Sequence, residues 1–258
     1  MSDAERTDPD HEGGTGTVEL RAHAKLTRTL RIVGVREDGY HLIDAEMVSL
    51  ELHDRLLVAP GDGLTVVRDG IVGAGDEDDL VAKALRAVGR RAAVELHKHI
   101  PAGAGLGGGS SDGAAVLRWA GVTDLELAAG LGADVAFCVH GGRARVRGIG
   151  ERVDPLPFEP LTVTLLTPPL HCSTPVVYRE WDAMGGPVGD HGNDLEPAAL
   201  RAYPELARWR EELAEVAGTR PRLAGSGSTW FVEGSYPGPG RVVTRTVRSA
   251  APDGVPRR

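Results

Sequence analysis

Between Pro101 and Leu117 the chain reads PAGAGLGGGSSDGAAVL, six glycines and two serines ahead of a run of helix formers. Residue types of this kind bind anions. Glycines admit positive φ angles and let main-chain N–H groups approach an oxygen with no Cβ in the way. A helix starting behind them adds unpaired N–H groups and the positive end of its dipole. A phosphate cradle is the expected chemistry, with a flexible linker as the alternative. The loop is not of the Walker type, because no Gly-Lys-Ser/Thr follows the glycines. GAGLGG at 103–108 satisfies G-x-G-x-x-G, but no acidic residue closes a second strand about 20 residues on, as a dinucleotide site requires. The basic residues point the same way: of 29 Lys plus Arg only Lys25, Lys83 and Lys98 are Lys. Lys98 stands beside the glycines and Lys25 in AHAKLT, where a compact ammonium could reach a phosphate or a carboxylate; plain surface placement is the alternative.

Such a loop needs a strand before it and a helix after it. AAVELH, 92–97, alternates as a strand, and Ala114–Leu117 favours a helix starting near Gly108, with Ser110, Ser111 and Asp112 as cap and first turn. Upstream, TVELRAHAKLTRTLRIVGV reads as one or two strands, REDGY as a turn and LIDAEMVSLEL as the returning strand, so the chain opens antiparallel. DDLVAKALRAVG has helical apolar spacing and a terminal Gly. A short helix near Asp124–Leu131 precedes GADVAF and strands through RARVRGIGERV. The proline-rich DPLPFEP, 154–160, marks a domain joint. Beyond it LTVTLL and STWFVEG read as strands, TPVVYREWDAM and PELARWREELAEVA as helices. This mixed order predicts an α+β protein: a disordered tail at 1–16, one domain over 17–155 and a second over 156–258, with no internal repeat.

Composition narrows the function. A net charge of −8 argues against a broad nucleic-acid surface, so small molecules are the expected partners. No apolar run reaches membrane-spanning length, and the start, MSDAERTDPDHEGGTGT, is polar and acidic rather than a signal peptide, which predicts a cytoplasmic protein. Cys138 and Cys172 make no disulfide framework and show no metal-ligand spacing, so both read as reduced core residues and no protein metal site is expected.

Taken together and in order, AHAKL, DGYH, IPAGAGLGGGSSDGAA, LGADVAF, GIGER, STPVVY, GNDLEPAAL and LAGSGST resemble the 4-diphosphocytidyl-2-C-methyl-D-erythritol kinases of the GHMP superfamily over residues 20–233. The glycine loop alone carries the superfamily; DGYH, GIGER and GNDLEP carry the narrower likeness. The resemblance implies a GHMP kinase fold, with a ribosomal-protein-S5-domain-2-like ATP-binding domain followed by a ferredoxin-like α/β sandwich. It implies phosphorylation by ATP of the 2-hydroxyl of a cytidine-diphosphate-linked methylerythritol, in non-mevalonate isoprenoid biosynthesis. Asp134 matches the catalytic aspartate and Lys25 its partner. Pro101, Gly103, Gly105, Leu106, Gly107, Gly108, Gly109, Ser110 and Ser111 match the ATP loop, with Mg²⁺ carried by the nucleotide. Tyr40 and Tyr178 match the rings that sandwich the cytosine, and His41 the residue that hydrogen-bonds it. Thr174 and Thr27 would face the substrate, and Gly225, Ser226 and Gly227 in AGSGS would close over the site. The chain departs from the family pattern at His23 and Thr27, where the family reads Pro and Asn, at Asp79, where it usually reads Asn, and in a shortened 112–134 segment. These departures leave open a GHMP kinase of altered specificity and a non-catalytic nucleotide-binding paralogue. A monomer and a homodimer are equally compatible with the sequence.

Overall fold

The structure, a computed structural model, describes residues 16–248. The tail expected at 1–16 lies, apart from Gly16, outside the described residues. The first part of the chain runs β1 (Val18–Val35), β2 (His41–Ala59), β3 (Gly63–Arg68), β4 (Ile71–Ala74), α1 (Leu80–Ala87), β5 (Ala93–Lys98), α2 (Gly108–Trp119), α3 (Leu125–Leu131), α4 (Val135–His140), β6 (Arg143–Gly148) and β7 (Arg152–Pro155). The second continues with β8 (Thr162–Leu166), α5 (Thr174–Ala183), α6 (Glu196–Ala202), α7 (Leu206–Ala217), β9 (Arg222–Leu223), β10 (Trp230–Glu233) and β11 (Arg241–Arg245).

The opening alternation folds as one 18-residue strand paired antiparallel with β2, and its register slips at His23/Lys25, Thr27/Thr29 and Ile32/Gly34. Each irregularity re-aims side chains along β1, as bulges do. The opposite edge of β2 is shared: Ile43–Val48 pairs with β6, and Arg55–Ala59 with β5. β5 runs parallel to β3, so the seven-stranded sheet is mixed. β8, β9, β10 and β11 form a separate antiparallel sheet in the order β11-β8-β10-β9.

A compact apolar cluster joins the two sheets beneath the glycine loop. Ala24, Leu26, Val48 and Leu50 come from the β1–β2 pair, Ala104 and Leu106 from the loop, and Val163, Leu165, Ala224 and Phe231 from the second sheet and its neighbour loop. Each is almost wholly buried. The loop is therefore anchored through its apolar residues.

Several elements differ from expectation. Val135–His140 is a helix, α4, where the apolar run VAFCVH has too few residues to show helical spacing. The β3–β4 hairpin, α6 and β11 were not expected; β4 is exposed along its whole length, so no alternation of buried and exposed residues marks it. Ser110, Ser111 and Asp112 do not cap α2. Its N-cap is Gly107, in the left-handed conformation and without a side-chain bond. Ser110 and Ser111 lie in the first turn and Asp112 just beyond it, and Ser111 and Asp112 are buried.

Candidate active site

A cleft of about 1170 Å³ runs over the glycine loop and is lined by both parts of the chain. Its volume exceeds the usual range for one drug-sized ligand, about 300–1,000 Å³.

Lys25 and Asp134 meet in this cleft. Lys25 sits between two register slips of β1, with its side chain 7% exposed, and its Nζ lies 3.1 Å from Asp134 Oδ2. Nζ also donates to Thr27 Oγ1 at 3.2 Å. Thr27 is two residues on in the same strand, so both side chains share one face. Asp134 occupies the N-cap position of α4 but makes no capping bond. Its carboxylate is turned to Lys25 in the cleft and not to the backbone of α4. Gly150 of the GIGER turn packs on the backbone bearing Asp134: a Cβ there would lie 3.0 Å from the Ala133 carbonyl carbon.

The glycine loop needs bare backbone for contacts within the protein as well. Gly105, at φ +76°, lies against the 224–228 loop, where a Cβ would come within 2.8 Å of Gly227 O. Gly107, at φ +67°, leaves room for Lys25, whose Cγ would be 2.6 Å from a Cβ. The Lys25 N–H donates to Leu106 O at 2.9 Å and the Thr229 N–H to Ala104 O at 3.2 Å, tying the loop to β1 and to the second glycine loop. That second loop is pinned in turn by Asn193, whose Nδ2 donates to Leu223 O at 2.9 Å and Gly225 O at 2.7 Å. Asn193 of GNDLEP thus acts on the site from outside the cleft, which Leu195 of the same run lines.

Beneath the start of α2, Lys98 Nζ is held between Asp54 and Asp112, all three nearly inaccessible. Asp54 also accepts the His99 and Ile100 N–H groups. Asp112 Oδ1, by contrast, is buried with no hydrogen-bond partner. Burial raises the Asp112 pKa well above the carboxylate range, against the opposing pull of Lys98. For Lys98 burial works to lower the pKa, but the two carboxylates outweigh it and its pKa is raised. The two acids share one ammonium, and Asp112, with fewer donors, is the one whose protonated form burial favours. Asp79, the departure near the nucleotide loop, caps α1 by accepting the Val81 N–H at 2.8 Å. An asparagine oxygen could do the same, so the exchange keeps the cap.

α5 presents Thr174, Tyr178, Trp181 and Asp182 at helical spacing on one face. The Tyr178 ring lies 4.7 Å from the His41 ring and Trp181 meets it nearly at right angles at 5.5 Å. His41 Nε2 is 2.8 Å from Asp182 Oδ1. Burial raises the Tyr178 pKa, so its hydroxyl stays neutral. Tyr40 stands at the rim, 61% exposed. Thr174 Oγ1 and Ser226 Oγ are 2.7 Å apart, joining α5 to the second glycine loop.

Of the expected site residues, Lys25, Thr27, Tyr40, His41, Pro101, Gly103, Gly105, Gly107, Gly108, Gly109, Ser110, Asp134, Thr174, Tyr178, Gly225, Ser226 and Gly227 all line the cleft. Two do not. Leu106 is buried in the apolar cluster, as its side chain requires, and Ser111 turns its hydroxyl inward to donate to His23 O at 2.6 Å. Both hold the loop in place without facing the cleft. Sequence reasoning missed Asp54, Asp112, Trp181, Asp182 and Asn193; only the i+3 and i+4 spacing of Trp181 and Asp182 from Tyr178 was there to find them. Cys138 and Cys172 are free and buried, and burial pushes their thiols up to about 12 and about 11. Among the described residues no group of three or more His, Cys, Asp or Glu could hold a metal ion, and no helix is long and apolar enough to cross a membrane.

Residues 79–142 match the model of the GHMP kinases N terminal domain. The 4-diphosphocytidyl-2-C-methyl-D-erythritol kinase of Pelotomaculum thermopropionicum is 39% identical, over 81% of this chain and 86% of that one. The protein of the same name from Dinoroseobacter shibae is 35% identical over 95% of this chain and 96% of its own length. A crystal structure of 4-(cytidine 5'-diphospho)-2C-methyl-D-erythritol kinase superposes with a TM-score of 0.70 at 30% identity, covering 89% of this chain and 99% of that one.

Proposed function

Since the chain belongs to the 4-diphosphocytidyl-2-C-methyl-D-erythritol kinase family of GHMP kinases, we propose that its cleft transfers the γ-phosphoryl group of ATP to the 2-hydroxyl of the cytidine-diphosphate-linked methylerythritol, in the methylerythritol phosphate route to isoprenoids. It is then a phosphotransferase with an alcohol as acceptor. The observation that carries this reading is the Lys25–Asp134 pair, 3.1 Å apart in the cleft where the glycine loop meets β1.

Phosphoryl transfer asks a protein mainly to position its reactants and to stabilise charge. In this reading the Asp134 carboxylate accepts the proton of the attacking 2-hydroxyl. Lys25, oriented by Thr27, neutralises charge on the phosphoryl oxygens as they pass. The 2-carbon also bears a methyl group, so its hydroxyl is hindered and the approach must be held tightly. The N-terminal N–H groups of α2 and the backbone at Gly107, Gly108 and Gly109, with Ser110, bind the ATP phosphates. Mg²⁺ carried on those phosphates would supply charge neutralisation, with Ser110 and the loop backbone around it; among the described residues no group of three or more His, Cys, Asp or Glu could hold the ion. Tyr40 and Tyr178 stack on the cytosine, and the 224–228 loop covers the reacting groups. We assign ATP binding to residues 17–155 and most of the second substrate's contacts to the remainder, and read the protein as cytoplasmic.

The paired ammonium and carboxylate weigh against a paralogue that only binds nucleotide, which would have no use for both. Thr27 accepts from Lys25 and keeps its hydroxyl proton for an acceptor on the substrate. Purified protein supplied with ATP and, separately, the cytidylyl substrate, mevalonate and homoserine tests the reading. Turnover of the cytidylyl compound is expected; turnover of either alternative in its place would overturn it.

A further inference from the structure

His41 is gripped by α5 from three directions, and Asp182 determines what remains for a ligand. The imidazole side chain is 10% exposed, with Tyr178 against it and Trp181 nearly perpendicular. Trp181 is itself fixed, its Nε1–H donating to Pro187 O at 2.9 Å. Asp182 is half-exposed and lines the cleft beside His41 and Tyr178. A carboxylate can only accept, so a contact of 2.8 Å between Asp182 Oδ1 and His41 Nε2 places the proton on Nε2. In the neutral imidazole Nδ1 is then an acceptor.

We propose that Asp182 is a positioning residue that sets the base specificity of this enzyme by holding His41 as the Nε2–H tautomer, with Nδ1 as an acceptor for the exocyclic amine of cytosine. The inference rests on the function proposed above. Cytosine carries a donor amine at the position where uracil carries a carbonyl oxygen. An Nδ1 lone pair accepts from the amine and repels the carbonyl, so one locked tautomer separates the two bases. Released from Asp182, the ring can take either tautomer and serves both bases. Sites built to pair with a substrate donor discriminate strongly, because the wrong partner leaves buried polar groups unmatched.

The test compares the wild type with Asp182→Ala and Asp182→Asn, using the cytidylyl substrate and its uridylyl counterpart at saturating ATP. Turnover of the cytidylyl substrate by the wild type checks the underlying function separately. Asp182→Ala is expected to raise KM for the cytidylyl substrate about 10-fold, to lower the preference for cytidine over uridine by about the same factor, and to leave KM for ATP in place. Asp182→Asn keeps an oxygen that accepts the Nε2–H and is expected to restore most of the preference. ¹⁵N NMR of the labelled wild type should find His41 Nδ1 unprotonated. Asp182→Ala with wild-type base preference, or a proton on Nδ1 in the wild type, would overturn the proposal.

Discussion

At the scale of single residues the site separates groups that act on the reaction from groups that hold them. Tyr178 touches His41 and lines the cleft, and in the reading above its ring stacks on the base and not on the transferred group, so Tyr178→Ala should raise KM for the cytidylyl substrate more than it lowers kcat, leaving KM for ATP unchanged. Base stacking of about 1–3 kcal/mol sets the scale of that loss. Steady-state kinetics with each substrate varied in turn checks it. His23, a departure from the family pattern, has a structural part: its Nδ1–H donates to Leu50 O at 2.7 Å, and its own carbonyl accepts from Ser111. Burial lowers its pKa to about 4, opposed by the Leu50 carbonyl. A His depressed in the folded state stabilises above the unfolded value near 6.5 and loses that contribution as pH falls through 6.5 towards 4. The full effect is at most about 3 kcal/mol. Denaturant titrations between pH 7 and pH 4 should show that loss in the wild type and less of it in His23→Gln.

At the scale of elements, the start of α2 rests on a buried acid pair sharing one lysine. Asp54 accepts from Lys98, His99 and Ile100, whereas Asp112 has one oxygen without a partner. Asp112→Asn, which imitates the protonated acid, should change stability by no more than about 1 kcal/mol, while Asp54→Asn leaves Lys98 poorly compensated and should cost about 3–5 kcal/mol. Because burial raises the Asp112 pKa, its contribution is complete below the unfolded carboxylate value and is lost as pH rises through the folded one. Asp112→Asn should flatten that decline in denaturant midpoints; an equal cost for both asparagine variants would contradict the asymmetry between the two acids. The sequence displayed the strand, loop and α2 openly, since local spacing and glycine chemistry specify them. It could not display this triad: Asp54 meets Lys98 because β2 and β5 pair, and Asp112 reaches it through the turn of the glycine loop into α2. The hairpin β3–β4 was hidden for a different reason, its strands having no buried face at β4 to impose alternation.

At the scale of the molecule, the chain passes from one sheet to the other between β7 and β8, but the apolar cluster under the glycine loop draws on both. Thermal unfolding of the enzyme should accordingly show a single transition, raised by ATP, with about 2.7 kcal/mol gained at a ligand concentration 100 times Kd. Two separated transitions would contradict a shared core. Both glycine loops, β1 and α5 close on the Lys25–Asp134 pair, and the account stands on that pair performing the transfer. The most direct test is single-turnover phosphorylation of the cytidylyl substrate by Asp134→Asn beside the wild type, with the binding of both substrates measured on each protein. Asn is nearly isosteric but cannot take the hydroxyl proton, so the account predicts a rate lower by about 10²–10⁴ with both affinities near the wild-type values. A rate equal to that of the wild type would contradict it.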